Sequence, residues 1–405
     1  MTPEQHWWVL AASVALAGIT AAALFWSGVG PFTGADAGAY LDAARSYLAG
    51  GSIYDTADSA GRFGFIYPPF AMLGFLVLAP LPTGVAIAGW QTASLLMLVP
   101  LFGLLLRAAG VRLEAWWWPF LALASLVWYP VGRALVAGQI DLVLVTLVAV
   151  DFFVLRKTRW RGVLIGLAAG VKLTPAVYGL TLLLERDWRA LARAAASGGL
   201  TVVAGFIVLP QDSLRYWGDL AGVTARSGDQ GQGLSQSWAA LIARLTHPVS
   251  GYLTWPWSAV WLVLVIATIL IGVGVIRRML ERRLLIVAVG VNALVGLLIS
   301  PLSSLHHWVA VLPLLVALGV AAVRTRSVRL WAWLFLGLVL SGIPPWWYLG
   351  TWRGWGPAAA LVGSALVFWG AATVLLVNRW RDVLAAALQP RSPAVGSGDD
   401  EGDFG

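Results

Sequence analysis

The sequence has no cysteine, two lysines (Lys157 and Lys172), four histidines, and only 11% charged residues in a chain of 405. Without cysteine there is no disulfide frame and no thiolate chemistry, and the redox compartment is not encoded. A soluble domain carries roughly 25% charged residues, so a water-covered cytosolic enzyme is excluded. A disordered chain is excluded too, because it needs low hydrophobicity and high charge. What the chain has instead is 59% hydrophobic residues, 24 tryptophans and a mean hydropathy of +0.80. This balance specifies an all-α polytopic membrane protein, and at roughly 20 apolar residues per crossing the length allows about ten spans.

The net charge of +8 is unevenly spread. Sixteen basic residues fall in five short clusters, 156–161, 186–193, 277–283, 324–329 and 379–381. Basic residues in short loops stay on the cytoplasmic side. The high pI therefore reports topology and contact with anionic headgroups, not nucleic acid. The first apolar run, Trp7 to Trp26, lacks a basic leader and reads as an uncleaved span. A polar first outer loop follows at 27–64, with an amphipathic interfacial helix expected over Ala39 to Leu48. Further spans are expected at 84–106, 114–131, 140–155, 194–210, 257–276, 284–300, 308–323, 329–346 and 357–377. A second large outer loop is expected at 211–256, with shorter outer stretches at 301–307 and 347–356. One membrane domain covers 1–388, and the acidic, Pro/Gly/Ser-rich tail 389–405 is expected to be disordered on the cytoplasmic side.

Two segments do not fit as crossings. Gly162 to Leu184 lies between two basic clusters and is interrupted by Lys172-Leu173-Thr174-Pro175. If both clusters share a side, this run enters and leaves on that side as two half-helices. Residues 65–82 begin Tyr67-Pro68-Pro69 and end Pro80-Leu81-Pro82. Broken helices at membrane depth persist where they line a cavity. A cavity built partly from these two segments is therefore expected, and counting the spans as whole, broken or re-entrant gives about 10–12.

Several residues carry candidate chemistry, each beside a plainer role. Asp36, just past the first span, suits a general base on a hydroxyl; it also suits a helix N-cap. Asp42 and Arg45 have the spacing of a helical ion pair. Lys172, the one lysine inside an apolar run, is expensive there and favours an anion such as phosphate, although its stem could also snorkel. His306 and His307 stand at an outer helix mouth, as proton donors or hydroxyl ligands, or as an interfacial cap beside Trp308. Neighbouring helical positions face different ways, so one of the two is expected in the cavity. Gln139 and Asp141 open a span, where first-turn capping is the plainer reading. No metal is expected, because no further ligand lies at suitable sequence spacing.

In chain order the motifs are Asp36-x-x-x-Tyr40, Tyr67-Pro68-Pro69, Gly138-Gln139-Ile140-Asp141, Lys172-Leu173-Thr174-Pro175, Ser235-Gln236-Ser237, and Ser300-Pro301-Leu302-Ser303 with His306-His307-Trp308. This series, over about 30–310, resembles the actinobacterial membrane enzymes of glycosyltransferase family 87, including those that extend phosphatidylinositol mannosides. Two positions depart from the family pattern, which usually has Asn where Asp141 and Ser235 stand; the change bears on acceptor contacts. The resemblance implies a GT-C-like transmembrane bundle with its site on the outer side of the plasma membrane. It implies an inverting hexosyltransferase that moves mannose from polyprenyl-phosphate-mannose to a glycolipid hydroxyl in an α-1,2 linkage, without a cofactor. Asp36 would be the base; Lys172, His306, His307 and Arg62 would hold the donor phosphate. Tyr40, Tyr67, Gln139, Asp141, Gln236 and Ser237 would contact substrate. The alternatives are an arabinofuranosyltransferase of the same fold, a secondary transporter, or a non-catalytic scaffold. A transporter would usually show two related halves, and no internal repeat is visible.

Overall fold

The computed structural model describes residues 34–56, 64–114, 117–126, 128–220, 234–246, 253–342 and 356–389. The expected first span, Arg62 and the acidic tail beyond Gln389 lie outside these residues. Among the described residues the chain forms helices and short 3-10 turns with no strand, apart from one isolated bridge between Ser235 and Ser304.

Four helices are long and apolar enough to cross a bilayer: Thr83–Ala108, Trp188–Val208, Trp257–Glu281 and Leu305–Thr325. Shorter apolar helices include Leu285–Ile299, Val328–Gly342 and Ala365–Arg379. The expected span at 114–131 is instead two helices, Trp117–Ser125 and Tyr129–Ala137, bent by 85°. The crossings countable by length are thus fewer than composition suggests, because several apolar runs arrive as pieces. Leu285–Ile299 is apolar all round and buried along nearly its whole length, so it forms the centre of the bundle. By contrast, Trp188–Val208 and Trp257–Glu281 expose Leu200, Ile207, Val263 and Leu270, the surface a hydrocarbon solvent requires.

The run Gly162 to Leu184 is a re-entrant hairpin. Helix Val163–Val171 ends at Lys172, whose backbone is extended (φ −150°, ψ 132°); a 3-10 turn, Thr174–Tyr178, and helix Gly179–Leu184 lead back. Both ends meet at one base. There Arg156 pairs with Glu185 at 2.9 Å, Arg161 pairs with Glu185, and Arg161 pairs with Asp187 at 2.9 Å. Buried Asp151 accepts from the amides of Gly162, Leu164 and Ile165 and so caps the ascending helix. On the descending side, Asn292 accepts from Thr181 Oγ1 at 2.8 Å and donates to the Val177 carbonyl at 3.0 Å.

Gly162, Gly166 and Gly170 form one stripe against Trp188–Val208. A Cβ at Gly166 would lie 2.0 Å from Ser197 Oγ and 2.2 Å from the Ala194 carbonyl oxygen. Small residues at this spacing let two helix backbones touch. The Gly166→Val variant is expected to lose about 2 kcal/mol or more of stability, because backbone atoms cannot step aside; a thermal-unfolding midpoint equal to that of the unaltered protein would refute this close seam.

The helix expected in the first loop runs Ala35–Leu48, a turn longer than expected, and is largely buried by protein rather than lying at the interface. Its start rests on two left-handed glycines. Gly34 (φ 67°) occupies the N-cap, and its amide donates to the Val136 carbonyl at 2.7 Å. Gly138 (φ 71°) lies so close that its Cβ would sit 2.5 Å from the Ala37 Cβ. Residues 65–82 do not cross: helix Pro69–Leu76 is followed by a turn. Arg45 forms no helical pair with Asp42; it reaches across to the Ala79 and Leu81 carbonyls and Thr83 Oγ1, stapling that turn. The segment after Ala35–Leu48 is tied to the end of Trp188–Val208 and the helix that follows it by Tyr47 to the Val208 carbonyl (2.7 Å), Ser52 to Asp212, and Arg215 to Asp55 (2.6 Å).

Candidate active site

A cavity of about 240 Å³ opens at the end of the molecule away from the arginine clusters. Elements distant in sequence supply its wall. Asp36 and Tyr40 come from successive turns of Ala35–Leu48, Tyr67 from the segment before Pro68, and Arg133 from Tyr129–Ala137. Gln139 follows the Gly138 cap, Lys172 sits at the apex of the hairpin, and His306 and His307 come from the 3-10 turn Leu305–Val311.

Asp36 is not the N-cap, a position Gly34 holds; it lies in the first helical turn and faces the cavity. Burial pushes its carboxyl above the ordinary aspartate range, opposed by Arg133 and by a hydrogen bond with Gln139. Gln139 in turn organises two phenols: Tyr40 and Tyr67 each donate to its Oε1 at 3.1 Å, and their hydroxyls lie 3.2 Å apart. The Lys172 ammonium stands 5.2 Å from the centre of the Tyr67 ring. One polar chain therefore links the carboxylate on helix Ala35–Leu48 to the cation on the hairpin.

Asp141 does not cap its helix. Its Oδ1 accepts from Lys172 Nζ at 2.8 Å, with both residues only 6% exposed. A lysine sunk among apolar helices thus carries an internal counter-ion, which offsets the cost of burying either charge alone. The second oxygen, Oδ2, has no hydrogen-bond partner and lies 3.8 Å from His306 Nε2, beyond hydrogen-bond range. Both histidines line the cavity, not one; their rings pack edge to face at 4.4 Å, and His307 also borders a smaller, mainly apolar pocket beneath. The turn carrying them is 3-10, so the directions expected of an α-helix do not apply.

Asp141, His306 and His307 bring ligand-type atoms within 4.8 Å of one another, a grouping invisible in linear spacing. A divalent ion there would use Asp141 Oδ2 with the two imidazoles, and the Lys172 ammonium seated on Oδ1 of the same carboxylate would oppose its charge.

Gln236 and Ser237, expected at substrate, do not line the cavity. The Gln236 amide donates to the Ser303 carbonyl at 2.7 Å and its Nε2 to the Gly363 carbonyl at 2.8 Å, while Ser237 Oγ accepts from the Ala240 amide at 3.3 Å. They are buried and brace the 303–305 segment that delivers the histidines. Arg62 lies outside the described residues. Arg133 was not anticipated; it follows the expected span at 114–131 and reads as loop, although a lone arginine within an apolar stretch is a signal for a cavity.

The model of glycosyltransferase family 87 matches residues 65–301, a stretch that includes Tyr67, Arg133, Gln139, Asp141 and Lys172. A polyprenol-phosphate-mannose-dependent α-(1-2)-phosphatidylinositol mannoside mannosyltransferase of Mycolicibacterium smegmatis is 32% identical over 373 residues, 84% of this chain and 81% of its own. The protein of the same description from Mycobacterium tuberculosis is 32% identical over 84% of this chain and 82% of its own. A phosphatidylinositol pentamannoside mannosyltransferase of M. smegmatis is 33% identical over 75% and 74%. No solved structure matches the chain. The family match over more than half the length, the relatives across most of it and the apolar helices agree: this chain is a multi-pass membrane protein that belongs to glycosyltransferase family 87.

Proposed function

We propose that the chain transfers a mannosyl residue from polyprenyl-phosphate-mannose to a hydroxyl of a phosphatidylinositol-mannoside-type glycolipid, with inversion and an α-1,2 linkage. The observation that carries this reading is that Asp36 and Lys172, one from an outer helix and one from a re-entrant hairpin, face the same cavity. Asp36 takes the proton of the acceptor hydroxyl as its oxygen attacks the anomeric carbon. The bond from that carbon to the lipid phosphate breaks on the opposite face, so a β-linked donor gives an α-linked product. Lys172 and Arg133 receive the negative charge of the departing polyprenyl phosphate, and the histidines donate hydrogen bonds to it. In a site of low dielectric such contacts are stronger than in water. Tyr40, Tyr67 and Gln139 are the sugar contacts. The apolar pocket of about 50 Å³ below Thr174 and His307 gives the first isoprene unit a dry wall.

The architecture is a GT-C-like bundle, one catalytic domain over 1–388, in the plasma membrane. The arginine clusters lie inside by the positive-inside rule, which turns the cavity outward, where lipid-linked donor and acceptor both arrive through the bilayer.

The test is purified protein in proteoliposomes, given polyprenyl-phosphate-mannose or polyprenyl-phosphate-arabinose together with phosphatidylinositol mannosides. A new α-1,2-mannosylated lipid is expected with the first donor only. Arabinose transfer, or sugar uptake into the vesicle without a new glycolipid, would overturn the reading.

A further inference from the structure

A second cavity, of about 550 Å³, lies at the arginine-rich end, where Thr83–Ala108 and Asp141–Phe153 finish and Leu285–Ile299 begins. Its floor is apolar, with Leu104, Phe152, Phe153 and Ile286, and its rim carries Arg107, Arg156 and Arg283 with no acidic side chain. Glu185 pairs with Arg156 at 2.9 Å as well as with Arg161, and the other carboxylates nearby are committed elsewhere: Asp187 to the hairpin base, Glu281 to Arg277, and Asp382 to Arg282. Among the described residues Arg107 and Arg283 have no carboxylate partner; Arg107 lies over the Trp118 ring at 4.8 Å. The wall is built rather than incidental. Arg324 ties the Ala387 carbonyl to the Gly110 carbonyl, and Gln389 donates to the Arg282 carbonyl at 2.8 Å. The rim also sits at headgroup depth: Trp160 and Trp188, 54% and 61% exposed beside the same basic loops, mark an aromatic belt.

We infer that this cavity binds an anionic glycerophospholipid of the leaflet at the arginine-rich face, its phosphodiester held by Arg107 and Arg283 and an acyl chain on the apolar floor. Guanidinium groups match phosphate oxygens two at a time. A basic recess between membrane helices with a greasy floor takes both halves of such a lipid, whereas a soluble anion would leave the floor wet. The site is separate from the sugar cavity and needs no assumption about transfer.

The test is native mass spectrometry of the delipidated full-length protein, titrated with phosphatidylglycerol or phosphatidylcholine of matched chains. Phosphatidylglycerol is expected to be retained in preference. Each guanidinium near an anionic headgroup is worth roughly a factor of five, so R107Q/R283Q should weaken retention roughly twenty-five-fold. R326Q/R329Q, which alters exposed arginines outside the cavity, should leave it within about a factor of two. If the double variant does not survive purification, R283Q alone carries the test with about a fivefold loss. Equal retention of the two lipids, or equal losses in the cavity and control variants, would overturn the assignment. So would complete displacement of phosphatidylglycerol by excess inorganic phosphate, which would make the site a phosphate site and not a lipid site.

Discussion

The Asp36→Asn variant is expected to lose sugar transfer by a factor of about 10²–10⁴, the usual worth of a positioned general base, while still binding lipid-linked donor. Asn keeps the shape and the link to Gln139 but cannot accept a proton. The direction of the shift at Asp36 gives two further readouts. Its carboxyl holds a proton more tightly in the folded protein than an ordinary aspartate does, because burial disfavours the charge. The base must be ionised to act, so transfer should fall as pH drops through this raised value, and that acid limb should sit above the range of a free aspartate. The stability consequence has the opposite sense. Between the unfolded and folded pKa values the folded state binds more protons, so stability declines as pH rises through that window, and above it the whole cost is present. At neutral pH the Asn variant should therefore melt no lower than the unaltered protein, and preferably higher. Full turnover in this variant would remove Asp36 from the chemistry; lost turnover with a lowered melting point would assign it to structure.

Removing Lys172 alone should damage the fold before it informs on donor binding. Lys172→Met leaves the Asp141 carboxylate buried without its cation, a loss of about 3–5 kcal/mol for a broken buried pair. The informative variant is Lys172→Met combined with Asp141→Asn, which removes both charges at once. It should fold, yet weaken donor affinity roughly 10–100-fold, the value of a charge-assisted hydrogen bond to phosphate, with acceptor affinity little changed. Asp141→Asn by itself should act in reverse. It frees the ammonium from its internal partner, so the donor KM should fall while the empty protein becomes less stable. Unchanged donor kinetics in the double variant would show that Lys172 serves packing and not phosphate.

The membrane class and the placement of the apolar runs follow from composition and hydropathy, which depend on local sequence alone. The hairpin was legible for a subtler reason: two basic clusters that must share a side leave only an even number of crossings between them, and Lys172-Leu173-Thr174-Pro175 marks the break. What was not legible depends on pairing at a distance. Nothing local to Asp141 says that its partner is Lys172, and nothing near His306 and His307 says that Asp141 stands beside them. Gln236 and Ser237 look like ligands because they are polar residues between apolar runs, yet they are buried, bond to protein backbone and do not line the cavity. Arg133 was hidden by a bend that turns an apparent loop residue into the cavity. The glycine stripe 162-166-170 is written openly in the sequence, but its meaning needs the second helix.

That seam has a mechanical consequence. Two backbones in direct contact leave no slack for one helix to slide or tilt on the other, and the ionic clamp at the base removes the remaining freedom. Lys172 is thereby mounted on the stationary side of the pocket. Whatever shifts to admit a sugar and release a spent lipid must belong to the facing side, helix Ala35–Leu48 with its neighbouring loops and the turn bearing the histidines, so efforts to trap an open form should immobilise those and leave the hairpin untouched.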